Sequence, residues 1–209
     1  TTRQKEKIPL VQLIPGLPPQ IDLEVRPFSF SEIRRTADVV FLCLPHTEAM
    51  QAAPKFLEAG KIVIDLSADF RLRDWREYEK WYGVKHTNRR TLGEAVYGLP
   101  ELYREKIQRS NLIANPGCYP TGIILGIAPL LHASLVDTAS IIVDSKSGVS
   151  GAGKKLNPAT QFCEVDENFY AYKVGRHQHT PEMEQALSDV AGVKISVTFV
   201  PHLLPLKRG

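Results

Sequence analysis

The sequence predicts an α/β fold with a parallel sheet in its N-terminal half and a mixed or antiparallel sheet toward its C-terminus. Ala37 to Leu44 and Lys61 to Leu66 are continuously apolar and partly β-branched, as strands buried on both faces should be. A helical stretch lies between them, and strand, helix and strand in so short a span read as a right-handed βαβ crossover. From Ile141 onward the segments alternate more, and Val193 to Val200 reads as a strand of a different kind of sheet.

Each element has its own local signal. Residues 1–30 are rich in proline, with Ile14 to Pro19 as a loop and Leu23 to Val25 as a short strand. Glu32 to Thr36 forms a helical turn before the first long strand. Thr47 serves as N-cap for a helix over Glu48 to Ala59, which Gly60 ends and Pro54 interrupts awkwardly. Asp74 to Tyr82 is a short helix with Leu72, Trp75, Tyr78 and Tyr82 at helical spacing, and Gly83 ends it. Without an accompanying basic stripe, those aromatics belong to a core. Leu112 to Ala114 is a third strand, running into the turn Asn115-Pro116-Gly117 and an apolar helix over Gly122 to Leu131. Ile141 to Ser145 is a strand, and Thr180 followed by Pro181 opens a helix to Val190. A domain change falls near 115–135, which divides the chain into residues 1–117 and 118–209.

Composition narrows the function. The 209 residues can bury one good core or two small ones, and 43% hydrophobic with 23% charged residues is ordinary for a soluble globular protein. A net charge of +3, spread along the chain, leaves no footprint for nucleic acid. No apolar run is long enough to span a membrane, and Thr1 to Lys5 lacks an apolar signal region. Three well-separated cysteines without Cys-x-x-Cys spacing argue against a disulfide framework or thiolate zinc site, and for a reducing, cytoplasmic compartment. A plastid or mitochondrial protein without its transit peptide would look the same.

Four constellations carry chemistry. Cys118 sits between the Asn115-Pro116-Gly117 turn and a helix start, where unpaired N–H groups and the positive dipole end favour the nucleophilic thiolate. The same position also suits a buried, inert cysteine. The loop Ser147-Gly148-Val149-Ser150-Gly151-Ala152-Gly153, followed by two lysines, offers N–H groups to an anion, yet fits neither a Walker A frame nor a dinucleotide fingerprint. Taken alone, it reads better as a plain flexible loop. His177 and His179 precede the helix opened by Pro181 and, if extended, point to one side. They lack a third or fourth metal ligand nearby, so no metal is assigned; acid–base work or a surface pair both fit. Leu44-Pro45-His46 and Asp65 to Arg71 end successive strands where open α/β sheets bind ligands, and Arg71 can fork onto a carboxylate or phosphate.

Together with Tyr97 to Glu101 and Pro201 to Gly209, these motifs occur in an order that resembles the semialdehyde dehydrogenase family. Within it the chain is similar to the branch that reduces N-acetyl-γ-glutamyl phosphate in arginine biosynthesis. The resemblance implies a Rossmann-type cofactor domain and a second α+β domain for catalysis and dimer or tetramer contacts. It implies NADPH-dependent reduction of an acyl phosphate to an aldehyde with release of phosphate. Cys118 would form the thioester, and His177 or His179, not ranked, would handle protons. Arg71, Asn115, Glu182 and Arg208 would hold substrate. Thr2, Arg3, Pro45, His46, Ser147, Gly148, Ser150 and Gly151 would face NADP(H), with Thr2 and Arg3 suiting its 2′-phosphate.

The family pattern opens with a strand and glycine-rich pyrophosphate turn, and closes with further strands and a helix; this sequence starts at the second strand and stops at Gly209. The resemblance therefore implies a part of the family's chain whose own affinity for cofactor is impaired. Sister branches acting on aspartyl or N-acetyl-aminoadipyl phosphates, a non-catalytic nucleotide-binding paralogue and a Cys-His hydrolase are the rival readings. The His-Gln-His-Thr-Pro-Glu run speaks against the aspartyl branch, whereas one substrate methylene separates the aminoadipyl branch only weakly.

Overall fold

A computed structural model describes residues 5–14, 16–18, 20–153 and 155–209. Strand β1 (Ile8–Pro9), a helical turn α1 (Leu10–Leu13) and β2 (Glu24–Val25) form a small antiparallel ladder ahead of the main sheet. Helix α2 (Phe30–Thr36) starts at Ser29, whose hydroxyl accepts the Glu32 N–H, and leads into β3 (Val39–Leu42). Helix α3 (Ala49–Glu58) returns the chain to β4 (Ile62–Asp65), which pairs parallel with β3, Val40 against Val63. Next come α4 (Trp75–Tyr82), α5 (Arg89–Glu94), β5 (Val96–Tyr97), α6 (Pro100–Gln108) and β6 (Leu112–Ala114). The four strands form one all-parallel sheet in the order β3-β4-β6-β5, as the crossover signal requires.

The second sheet is mixed. Helix α7 (Cys118–His132) leads to β7 (Ile141–Ser147), then short 3-10 turns, α8 (Phe162–Val165), β8 (Tyr170–Ala171), α9 (Thr180–Ala191) and β9 (Val197–Leu203). Strand β9 lies in the middle, parallel to β7 and antiparallel to β8. Two hydrophobic cores follow. Met50, Ala53 and Phe56 of α3 pack against Val40, Leu42 and Val63 under the parallel sheet. Ile124, Ala128 and Leu131 of α7 meet Met183, Ala186 and Leu187 of α9 over the mixed sheet. Each large apolar side chain so buried contributes about 1.5–3 kcal/mol. Tyr97 and Leu99 belong to this second core, so the segment after β5 ties the two halves together ahead of residue 117.

The structure corrects several local expectations. The parallel strands are buried on one face only: Val40, Leu42 and Val63 are covered, while Phe41 is 62% exposed and Val39 42%. The covering side chains of α3 and α4 lie on a single side, so apolar continuity overstated the burial. Thr47 is not an N-cap. It adopts a left-handed φ of 78°, and the carboxylate of Asp69, from the loop after β4, accepts the N–H groups of Thr47 (2.8 Å) and Met50 (2.9 Å) instead. Thr180 is likewise the first residue of α9 rather than its cap, and its hydroxyl is buried without a partner among the described residues. The strand expected over Val193 to Val200 lies at Val197–Leu203, because Gly192 to Ser196 are spent on leaving α9.

Asp65, fully buried at the end of β4, accepts the N–H and hydroxyl of Ser67 at 3.0 and 2.7 Å. Burial nevertheless pushes its pKa from 3.8 up to about 6, outweighing those hydrogen bonds. The native state then holds an extra proton between the two values. The stabilisation is complete below about pH 3.8 and lost as pH rises through about 6, a swing of about 3 kcal/mol. Asp65→Asn is expected to gain on the wild type by about 2–3 kcal/mol between pH 4 and pH 8 in urea unfolding. A difference that stays constant with pH would rule this out.

Candidate active site

Helix α7 begins at Cys118, one residue after the Gly117 N-cap, so the thiol sits at the N-terminus of a 15-residue helix and is exposed. Thr121 closes the first turn, its N–H and hydroxyl both donating to the Gly117 carbonyl at 3.1 and 2.9 Å. Pro120 has no N–H, and the N–H groups of Cys118 and Tyr119 have no acceptor among the described residues. Two donors therefore remain beside the sulfur at the positive end of the helix.

Both histidines of the pair flank Cys118 through its chain neighbours. A Cβ on Gly117 would come within 2.7 Å of His179 Nε2, so only glycine lets this imidazole lie against the turn. His177 packs edge-on to Tyr119 and to Tyr172, whose hydroxyls meet at 3.0 Å. The rings of His177 and His179 are 4.8 Å apart. They converge through a turn rather than the extended stretch the sequence suggests, since His179 adopts φ −80° and ψ −12°. The His179 N–H donates to His177 Nδ1 at 3.1 Å, which places the proton of the neutral His177 ring on Nε2. His179 Nδ1 is buried without a partner among the described residues.

Electrostatics keep both rings neutral. Burial pushes the His179 pKa down to about 3, helped by His177, Arg71, His46 and Lys173. Burial, with Lys173, pushes His177 down to about 4. A negative charge formed beside such a ring would raise its pKa again, so these imidazoles are bases that respond to a thiolate or oxyanion.

A buried network stands behind the turn. Glu182, in the first turn of α9 and 1% exposed, accepts from the Gly117 N–H (2.7 Å) and the Tyr97 hydroxyl (2.6 Å) through Oε1. Its Oε2 lies 3.7 Å from the Arg71 guanidinium. Burial pushes the Glu182 carboxyl up, opposed by Arg71 and both hydrogen bonds. Arg71 donates to the carbonyls of Asn115 (2.7 Å) and Leu66 (3.0 Å). The polar atoms of Arg71 and Glu182 are thus directed at the frame of the turn rather than at solvent.

The strand ends gather here as the sequence suggests. His46, after β3, accepts the Ala68 N–H on Nδ1 (3.1 Å), and Asn115, after β6, donates its N–H to the Asp65 carbonyl (2.8 Å). Pro45, His46 and Asn115 are exposed at this edge. No hydrogen bond, ion pair or ring contact joins the Ser147 to Gly153 loop to the cysteine–histidine cluster among the described residues. Its expected free N–H groups are not free. Val149 and Ser150 donate to the carbonyls of Leu206 and Lys207, Gly151 donates to Gly148, and a side chain at Gly148 would strike the Arg208 carbonyl. The closing residues of the chain occupy the cradle that an anion would need. Arg208 itself is exposed, and Thr2 and Arg3 lie outside the described residues.

Sequence reasoning missed Tyr97 as part of the site, although it stands in a quoted motif, and missed the tyrosine pair of Tyr119 and Tyr172. Adjacency of Tyr119 to Cys118 was the available signal. Nothing local marks Tyr97, whose partner is 85 positions away.

Comparison with known proteins bears on this geometry. Residues 2–110 match the model of the semialdehyde dehydrogenase NAD binding domain, and residues 118–209 that of the semialdehyde dehydrogenase dimerisation domain. An N-acetyl-gamma-glutamyl-phosphate reductase of Pelotomaculum thermopropionicum is 57% identical over 85% of this chain and 51% of its own length. One of Desulfotalea psychrophila is 50% identical over 100% of this chain and 60% of its own. The chain thus spans between half and two thirds of these curated relatives. Among solved structures, aspartate semialdehyde dehydrogenase II from Vibrio cholerae superposes with a TM-score of 0.60 at 18% identity, covering 90% of this chain and 58% of that one. Aspartate semialdehyde dehydrogenase with NADP from Candida albicans gives 0.56 at 13%, covering 99% and 56%. At those identities the solved structures speak to the fold alone.

Proposed function

The chain belongs to the semialdehyde dehydrogenase family, and we propose that it reduces N-acetyl-γ-glutamyl phosphate to the semialdehyde and phosphate through a thioester on Cys118. The observation that carries this reading is the exposed thiol at the first residue of α7, with two neutral imidazoles held against its neighbours. Names of relatives at 50–57% identity support the substrate and the role in arginine biosynthesis.

In this mechanism the Cys118 sulfur attacks the acyl carbon, the C–S bond forms, and the C–O bond to phosphate breaks. Free N–H groups of Cys118 and Tyr119 hold the developing negative charge. His179, whose ring touches the turn itself, takes the thiol proton and later returns it to the nascent hydroxyl oxygen. Collapse of the resulting thiohemiacetal breaks the C–S bond, passes the hydroxyl proton through His179 to the departing thiolate, and releases the aldehyde. His177 holds the chain at His179, accepting its backbone N–H on Nδ1 while packed against Tyr119 and Tyr172. NADPH, when bound, supplies the hydride. The exposed Pro45 and His46 at the C-terminal edge of the parallel sheet fit such a dinucleotide, since open sheets of this kind bind ligands there. The loop of Ser147, Gly148, Ser150 and Gly151 contributes a wall, the N–H groups of Val149, Ser150 and Gly151 being spent on carbonyls of the chain. Asn115 and Arg208 remain available to the substrate's carboxylate or phosphate, whereas Arg71 and Glu182 act on the turn.

The same reading includes a homodimer or homotetramer, for which the matched dimerisation domain presents a mixed sheet with Ile142 71% exposed. It also includes a cytoplasmic location; among the described residues no helix is long and apolar enough to cross a membrane. The test is run in reverse. The native protein is given N-acetylglutamate semialdehyde, phosphate and NADP⁺, alongside the aminoadipate semialdehyde analogue. NADPH should form only with phosphate present and about 10-fold or more faster with the glutamate compound. Preference for the aminoadipyl compound overturns the substrate assignment, and turnover without phosphate or NADP⁺ overturns the reaction.

A further inference from the structure

The Asn115-Pro116-Gly117 turn is gripped from three directions by groups far away in sequence. Arg71 holds the Asn115 carbonyl at 2.7 Å, Glu182 holds the Gly117 N–H at 2.7 Å, and the His179 ring fills the space beside the Gly117 α-carbon. Tyr97 donates to the same Glu182 oxygen at 2.6 Å, fixing the carboxylate from the side of β5. Arg71, Tyr97 and Glu182 are all buried, at 7%, 9% and 1% exposed. Groups so enclosed have little access to substrate, and what they do touch is the backbone that aims the thiol.

We infer that Arg71, Tyr97 and Glu182 are positioning residues for Cys118, forming a buried ion pair and hydrogen-bonded brace that fixes the turn and sets the charge behind it. The inference rests on the assignment of Cys118 as nucleophile. Two donors meet Glu182 Oε1 while Oε2 faces a guanidinium, an arrangement that suits an acceptor-only carboxylate. The pair presents no net charge to the helix N-terminus. By occupying the Gly117 N–H, Glu182 also leaves the Cys118 and Tyr119 N–H groups as the donors nearest the sulfur. The other ionisable groups facing this end of α7 are His177 and His179 before α9, Tyr119 on α7, Tyr172 and Lys173 after β8, and His46 after β3.

Glu182→Gln separates the two parts of the role. The amide oxygen can still accept from Gly117 and Tyr97, but the negative charge is gone and Arg71 is left unopposed. The midpoint of Cys118 alkylation by iodoacetamide, followed on its own peptide by mass spectrometry between about pH 5 and 9, should fall by about one pH unit. Tyr97→Phe leaves the charges alone and removes one brace. Its alkylation midpoint should stay in place, while kcat drops about 10-fold and KM changes less than about 2-fold. A Glu182→Gln midpoint equal to wild type, in protein with native circular dichroism, overturns the electrostatic part. A Tyr97→Phe enzyme with unchanged kcat overturns the positioning part. Alkylation needs neither cofactor nor substrate, so failure of the proposed reaction would appear separately, as absent turnover in an enzyme whose Cys118 profile still shifts.

Discussion

Cys118→Ser should lower turnover by at least about 10³-fold while leaving the fold intact. The expectation follows from where the residue sits. Serine preserves the N-terminal position on α7, the Thr121 contacts to Gly117 and the packing of His179 on the turn, none of which uses the sulfur. What serine loses is the low-energy anion. A thiolate is the strong nucleophile, whereas a serine hydroxyl must lose its proton in the attack itself. Leaving-group chemistry points the same way, since the last step must break the bond between carbon and the enzyme's heteroatom, and thiolate departs far more easily than alkoxide. The measurement is phosphate-dependent NADPH formation in the native protein, with circular dichroism to show that folding is retained. Cys43→Ala and Cys163→Ala are the controls, because both thiols are exposed yet neither stands at the first residue of α7. Activity of the serine variant within about 10-fold of wild type would sink the thioester mechanism.

Much of this site is legible in the sequence because its parts are local. The Asn-Pro-Gly turn, the apolar run behind it and the continuous strands each carry their signal within a few residues, and Cys118 does begin a helix. The convergence of strand ends was also legible, because parallel strands joined by a crossover must present their C-terminal ends at one edge. Long-range hydrogen bonds were not. The resemblance placed Glu182 with the substrate, and nothing local shows that its donors lie 65 and 85 positions away, at Gly117 and Tyr97. The glycine-serine loop read as an anion cradle because nothing local shows that residues 206–208 return to fill it. One-sided burial of β3 escaped for a related reason: composition records how apolar a strand is, and only packing records which face is covered.

Asp69 shows the same limit with a larger energetic consequence, and Asp69→Ala is expected to cost about 3–5 kcal/mol. This fully buried carboxylate serves three donors at once: the N–H groups of Thr47 and Met50 at 2.8 and 2.9 Å, and the Tyr78 hydroxyl at 2.8 Å. Alanine leaves the buried Met50 N–H and Tyr78 hydroxyl without an acceptor, at about 1–3 kcal/mol apiece, and releases the part-buried Thr47 N–H; the costs do not simply add. Helix α3 loses the group that caps it, since Glu48 at its N-cap makes no side-chain capping bond. Thr47 loses the contact that holds a β-branched residue at φ 78°, a conformation such side chains avoid. For a chain of this size the melting temperature should fall by about 10 °C. Asp69→Asn should lose less, because one oxygen still accepts while the amide meets the Met50 N–H donor to donor. Tyr78→Phe should lose least, about 1 kcal/mol. That order, read by urea unfolding, separates a brace from a mere surface charge. Asp69→Ala within about 1 kcal/mol of wild type would show that the loop does not depend on it. The consequence for function follows from adjacency: Thr47 is the residue after His46, whose ring is otherwise held by the Ala68 N–H alone among the described hydrogen bonds. Loosening Thr47 should therefore weaken the proposed cofactor edge before it disturbs the cysteine turn, which Arg71 and Glu182 hold independently.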